Sequence, residues 1–108
     1  MPLLTNGRIR HSVVFTLTHS EGSAEEADFL DAIVRLEAIP GVEAFELMRE
    51  VSPKNDYRFG LTMEFADPSA YTAYNEHPDH VNFVRDRWDA EVTNFLEIDT
   101  TALSPGSA

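Results

Sequence analysis

From Arg8 to Thr18 the chain changes face at every residue. Ile9, His11, Val13, Phe15 and Leu17 fall on one side, and Arg10, Ser12, Val14, Thr16 and Thr18 on the other. Successive side chains point to opposite faces only in a strand, so this run predicts a strand with one apolar face. Such a strand needs partners on its edges and a layer over its apolar side, and the rest of the sequence supplies both. Val42 to Val51 reads as a second strand with Phe45, Leu47 and Val51 on one face. In Tyr57 to Phe65, Tyr57, Phe59, Leu61, Met63 and Phe65 alternate with Arg58, Gly60, Thr62 and Glu64. Between these two runs, Ser52-Pro53-Lys54-Asn55-Asp56 is turn chemistry, which makes them an antiparallel hairpin. Val92 to Asp99 reads as a fourth strand.

The covering layer comes from three helical segments. Ser23 followed by Glu26 fits a capping box, with Glu25, Glu26 and Asp28 in the first turns. Phe29, Leu30, Ile33 and Leu36 then recur at helical spacing until Pro40-Gly41 stops the helix. Asp67-Pro68 reads as an N-cap with proline at the first helical position, opening a short helix over Ser69 to Glu76. His77-Pro78 interrupts it, and a last helix runs from about Asp79 to Ala90, with Val84 and Trp88 four apart on one side. The expected fold class is α+β, a ferredoxin-like β-α-β-β-α-α-β chain with a four-stranded antiparallel sheet. The sheet face away from the helices carries Val14, Ala44, Met48 and Gly60 among its polar residues. A semi-apolar open face invites a second sheet, so a homodimer paired into an α/β barrel is expected. Residues 8–99 form the expected domain, 1–7 an N-terminal extension and 100–108 a flexible tail rich in Ser, Thr, Ala, Pro and Gly.

Charge and composition then remove whole classes of function. Eight Lys and Arg stand against nineteen Asp and Glu, a net charge of -11, which argues against nucleic acid and against an anionic membrane surface. With no cysteine there is no disulfide, thiolate nucleophile or sulfur-bound metal. No apolar run is long enough to span a bilayer, and Met1 to Gly7 lacks a secretory pattern, so the expected location is the cytoplasm. No Gly-rich phosphate loop or nucleotide fingerprint occurs, and no cofactor is expected. The carboxylates sit at helix starts, turns and polar strand positions and read as solvated surface.

The chemistry therefore rests on histidine and tyrosine. His11 lies on the apolar face of the first strand, where it is either a core-edge imidazole bonded to a backbone carbonyl or a pocket residue. His19 falls in a polar loop and is expected to be exposed. The densest polar cluster is Tyr74-Asn75-Glu76-His77-Pro78-Asp79-His80. One reading is a helix break with His77 or Asp79 as cap. In the other, His80 near the positive helix end stays neutral and acts as a base, with a tyrosine hydroxyl as donor. A metal site on His77, Asp79 and His80 is disfavoured because the proline distorts their spacing, and no metal is expected.

Taken in order, these pieces resemble a known family. The run Ile9-Arg10-His11-Ser12-Val13-Val14-Phe15-Thr16-Leu17 is similar to the first strand of stress-responsive A/B barrel (Dabb) proteins. The Ile39-Pro40-Gly41-Val42 turn, the Tyr57 to Phe65 strand, the Tyr74-x-x-His77-Pro78-x-His80-Val81 motif and Phe95-x-x-x-Asp99 follow the same pattern. The resemblance implies a ferredoxin-like protomer that dimerises sheet to sheet, with a cleft between helices and sheet. It also implies kinship with a plant branch that cyclises polyketide chains by aldol condensation without cofactor or metal. Carried over by motif position, His80 would be the base and Tyr74 its partner. His11 would be a further polar pocket residue, and Val13, Phe15, Leu61, Met63, Phe83, Val84 and Trp88 would form the wall. Three functions are thus in view: a dimeric barrel binding a small hydrophobic, oxygenated ligand; a cofactor-free cyclase or isomerase using His80 and Tyr74; and a structural oligomer of the stress response.

Overall fold

The computed structural model describes residues 7–103. Four strands, β1 (Ile9–Leu17), β2 (Glu43–Arg49), β3 (Phe59–Phe65) and β4 (Val92–Thr101), form one sheet in the order β2-β3-β1-β4. Every pairing is antiparallel. The expected α+β, ferredoxin-like architecture is therefore the one observed. Helix α1 (Ala24–Val34) follows β1, and α2 (Pro68–Glu76) and α3 (Pro78–Phe83) follow β3. α3 passes into a π-helical turn, Val84–Trp88, and a last short helix, α4 (Asp89–Glu91).

The alternation read from the sequence decides which face is dry. Val13, Phe15 and Leu17 of β1 meet Phe59, Leu61, Met63 and Phe65 of β3 beneath Phe29, Ile33 and Leu36 of the first helical segment. Burying one such side chain is worth about 1.5–3 kcal/mol, so this layer is what closes the helices onto the sheet. Phe15 is its hub: its ring lies 6.0 Å from Phe29, 5.6 Å from Phe59 and 5.1 Å from Trp88.

The start of α1 follows the capping box. Ser23 Oγ accepts from the Glu26 amide at 3.1 Å, and Glu26 Oε1 accepts from the Gly22 amide at 3.1 Å. Ser23→Ala leaves an N-terminal amide unpaired and is expected to cost about 1 kcal/mol, read as a lowered midpoint in thermal unfolding. Glu26 corrects the view of the acids as solvated surface. It is buried and binds the Arg58 guanidinium at 2.9 Å, clamping α1 to the entry of β3.

Boundaries differ where local chemistry competes with the pattern. β2 stops at Arg49, and Val51, expected on its apolar face, is 84% exposed. There Glu50 Oε1 accepts from the Ser52 amide, and Asn55 Oδ1 from the Tyr57 amide, so side chains take backbone donors that the ladder would need. β2 also carries an irregularity between Glu43 and Glu46, where Ala44 takes a left-handed φ of 49°. β4 runs past Asp99 into the expected tail: Thr100 pairs with Arg10 and Thr101 with Ile9, and their hydroxyls donate to Arg10 O and Arg8 O. Of the extension and tail, residues 1–6 and 104–108 lie outside the described residues.

The open sheet face is more apolar than the sequence reading allowed. Val14, Met48 and Gly60 lie together: a Cβ at Gly60 would stand 3.5 Å from the Met48 methyl and 3.8 Å from a Val14 methyl. β4 adds Leu96, opposite Val14, and Ile98, opposite Ser12, each 48% exposed. Arg8 and Glu64 border this face, and the Arg8 guanidinium, 2.8 Å away, holds the Glu64 carboxyl below the usual carboxylate range.

Candidate functional site

Between the helices and the sheet lies a cavity of about 80 Å³. Its floor comes from β1 and β3, its roof from α2, α3 and the π turn, and its outer side from Phe95 and Glu97 of β4. Of the residues singled out from the sequence, His11, Val13, Leu61, Tyr74, His80, Phe83, Val84 and Trp88 line it. Phe15 and Met63 do not. Both are fully buried, Phe15 beneath Trp88 and Phe29, so they support the wall without reaching the space.

His11 is 6% exposed and sits on the helix side of β1, directly across from Asp99 on β4. Its partner is this carboxylate rather than a backbone carbonyl: Nδ1 lies 2.6 Å from Asp99 Oδ1. From α2, the Tyr71 hydroxyl donates to Asp99 Oδ2 at 2.8 Å and lies 3.1 Å from His11 Nδ1. The Tyr71 ring stacks on Phe65 at 4.9 Å, which fixes its reach. Because a carboxylate only accepts, the Nδ1 proton is committed to Asp99, and Nε2 is the ring nitrogen left for exchange.

Tyr74 lies one turn further along α2 and is 2% exposed. Its ring is 6.4 Å from His11 and 4.5 Å from His80, so it neighbours both imidazoles. Burial, with Glu97 adding to it, pushes its phenol far above the usual range and keeps the hydroxyl a donor. Among the described residues that hydroxyl has no hydrogen-bond partner.

The helix break does the positioning. His77 ends α2 and caps α3, its Nδ1 accepting from the Asp79 amide at 3.1 Å with Pro78 at the first helical position. This turns His80 back under α2, where its Nδ1–H donates to the Asn75 carbonyl at 3.1 Å. The other ring nitrogen, Nε2, then carries the lone pair. Burial is the largest influence on this imidazole and lowers its pKa; His11 adds to the lowering, while the Asn75 carbonyl and Glu97 oppose it. The neutral state expected from the helix end is thus favoured chiefly by desolvation.

Two histidines lie outside this geometry. His77 serves as the cap. His19, expected to be exposed, is instead half-buried with Nε2 2.6 Å from Glu91 Oε1, and Glu91 also binds Arg87. Among the described residues no three His, Cys, Asp or Glu side chains gather as a metal site. No helix there is long and apolar enough to cross a membrane.

Tyr71 was missed as a site residue because its apolar ring accounts for its place in the helix pattern. The signal was its spacing of three from Tyr74, which puts both on one helix face. Glu97, Phe95 and Asp99 share one face of β4 by the period of two, but their cross-strand partners depend on register.

Comparison with known proteins bears on this arrangement. A Mesorhizobium loti protein of the Dabb family with a ferredoxin-like fold is 61% identical, with a TM-score of 0.89 over 92% of this chain and 100% of that one. A dimeric ferredoxin-like protein of unknown function from Thermobifida fusca is 17% identical, with a TM-score of 0.74 over 92% of this chain and 94% of that one. A hydroxynitrile lyase from Passiflora edulis is 14% identical, with a TM-score of 0.75 over 88% and 93%. These last two likenesses are of fold alone. No curated protein matches the chain. The model of the stress responsive A/B barrel domain matches residues 9–102, and with the strand, turn and Tyr-His motifs described above the chain belongs to that family.

Proposed function

We propose that the protein is a cytoplasmic homodimeric barrel that binds a small apolar, oxygen-bearing compound in the cavity between helices and sheet. The observation that carries this reading is Tyr74, a side chain of the cavity wall whose hydroxyl has no hydrogen-bond partner among the described residues. A ligand oxygen that accepts from this hydroxyl gains a hydrogen bond worth about 0.5–1.5 kcal/mol. An apolar wall interrupted by His11, Tyr74, His80 and Glu97 selects an apolar body that carries oxygen. The dimer rests on Val14, Met48, Leu96 and Ile98, which give the open sheet face an apolar centre, and on the dimeric Thermobifida fusca relative.

Native mass spectrometry of the purified protein tests both parts. The expected result is a dimer that carries, or takes up from a metabolite extract, a small oxygenated apolar compound. Tyr74→Phe should weaken its retention by up to about tenfold, the worth of one hydrogen bond. A dimer that neither holds nor binds any compound would leave a structural oligomer as the better reading.

A second reading, a cofactor-free acid–base enzyme performing a cyclisation or isomerisation, is favoured by the His80 geometry. A neutral imidazole with its Nε2 lone pair unengaged beside a phenol donor can take a proton from carbon while the phenol holds the developing enolate oxygen.

A further inference from the structure

Resting on the pocket reading, we infer that the cavity is a two-base site in which His11 and His80 move a proton between two positions of one small enolisable ketone. Asp99 and Tyr71 act as the positioning residues for His11. Three observations carry this. Both imidazoles line the same cavity and neighbour the Tyr74 ring. Each has its Nδ1 engaged, His11 by Asp99 and His80 by the Asn75 carbonyl, so each has Nε2 left for exchange, as a lone pair on neutral His80 and as an N–H on the His11 imidazolium. Third, Asp99 is itself held, because the Tyr71 hydroxyl binds its second oxygen and the Tyr71 ring is stacked on Phe65. A carboxylate fixed at both oxygens sets one ring orientation for His11 and pairs with its imidazolium, the role an orienting acid plays behind a catalytic histidine.

The size of the space decides the substrate class. A dry cavity of about 150 Å³ holds a benzene. At about 80 Å³ and open beside Phe95 and Glu97 on β4, this one encloses only the reacting carbons of a compact ketone, the rest lying in the mouth, and is short of room for a folded chain with two reacting carbonyls.

The step balances as follows. His80 Nε2 takes a proton from the carbon between the carbonyl and a neighbouring double bond. The C–H electron pair moves into the carbonyl to give a dienolate, whose oxygen accepts from the Tyr74 hydroxyl. His11 enters the step as the imidazolium paired with Asp99 through Nδ1–H, and its Nε2–H gives its proton to the far carbon; the carbonyl re-forms, and the double bond is now conjugated. His80 ends with one proton more and His11 with one fewer, and exchange with water at the β4 side restores both.

The test uses the intact protein and allyl methyl ketone. Conjugation is followed by ultraviolet absorbance, deuterium uptake from heavy water by proton NMR, and binding separately by calorimetry. Wild type should bind and conjugate the ketone. His11→Gln and His80→Gln should each lower kcat by about a hundredfold, the usual worth of a general acid or base. Asp99→Asn, a near-isosteric change at a partly exposed side chain, guards against misfolding of the buried variant; it should lower kcat at least about tenfold with KM unchanged, because a neutral amide no longer pairs with the His11 imidazolium. Tyr71→Phe should lower kcat less and shift the His11 Nδ1 proton resonance, which a purely packing role would leave in place. Binding without conjugation overturns the inference and leaves the pocket reading standing. Conjugation that survives His11→Gln overturns the two-base arrangement in favour of His80 alone. Failure to bind overturns both.

Discussion

Protein carrying Ile98→Glu is expected to sediment as a monomer at concentrations where the proposed wild-type dimer holds together. Ile98 lies on the open sheet face opposite Ser12, one pair along from Leu96 and Val14. In a two-fold interface each substitution enters twice, because the same patch meets itself. An uncompensated charge in a closed apolar contact costs about 3–5 kcal/mol, and two of them raise the dissociation constant by at least about four decades. The chain already carries a net charge of -11, so added carboxylates meet repulsion rather than a waiting cation. Analytical ultracentrifugation reads the change, and an unaltered far-ultraviolet spectrum shows that the protomer still folds. An undiminished dimer would put the interface on another face.

Phe15→Ala should cost about 3–5 kcal/mol of unfolding free energy, a large part of the roughly 5–15 kcal/mol available to a domain of this kind. Phe15 is fully buried where the two central strands meet α1 and the π turn, with aromatic neighbours on three elements. The surrounding rings belong to separate elements and cannot collapse together into the gap, so the cavity term adds to the lost transfer energy. Urea unfolding at constant slope measures it. A loss below about 1 kcal/mol would mean that the helices are not held to the sheet through this ring. Because Phe15 lies under Trp88, the same change should loosen the cavity wall, so ligand retention would fall together with stability.

Most of the fold was legible because its determinants are local. The alternation in β1 and β3, the Ser23 cap and the Asp67-Pro68 helix start each specify structure within a few residues, and each is found where the sequence puts it. What stayed hidden depends on long-range register. The Asp99 partner of His11 is 88 residues away, and the Glu91 partner of His19 is 72 residues away. Neither pairing exists until β4 has docked in one specific alignment. The π turn is another such case: an i+4 pattern at Val84 and Trp88 reads as continuous helix, and the wider turn is a tertiary adjustment of the wall. Tyr71 shows a different limit, since an aromatic residue at a core-facing position explains itself by packing and conceals its hydroxyl.

The pairing of β4 with β1 joins the first strand of the chain to the last. During synthesis β1 can find β3 as soon as the hairpin emerges, but its other edge stays bare until Val92–Thr101 has left the ribosome. For that interval the nascent chain presents an unpaired strand edge, the kind of surface that recruits other chains. The His11–Asp99 contact forms only when that edge closes, so the moment at which the chain becomes safe from aggregation is also the moment at which its cavity acquires its chemistry.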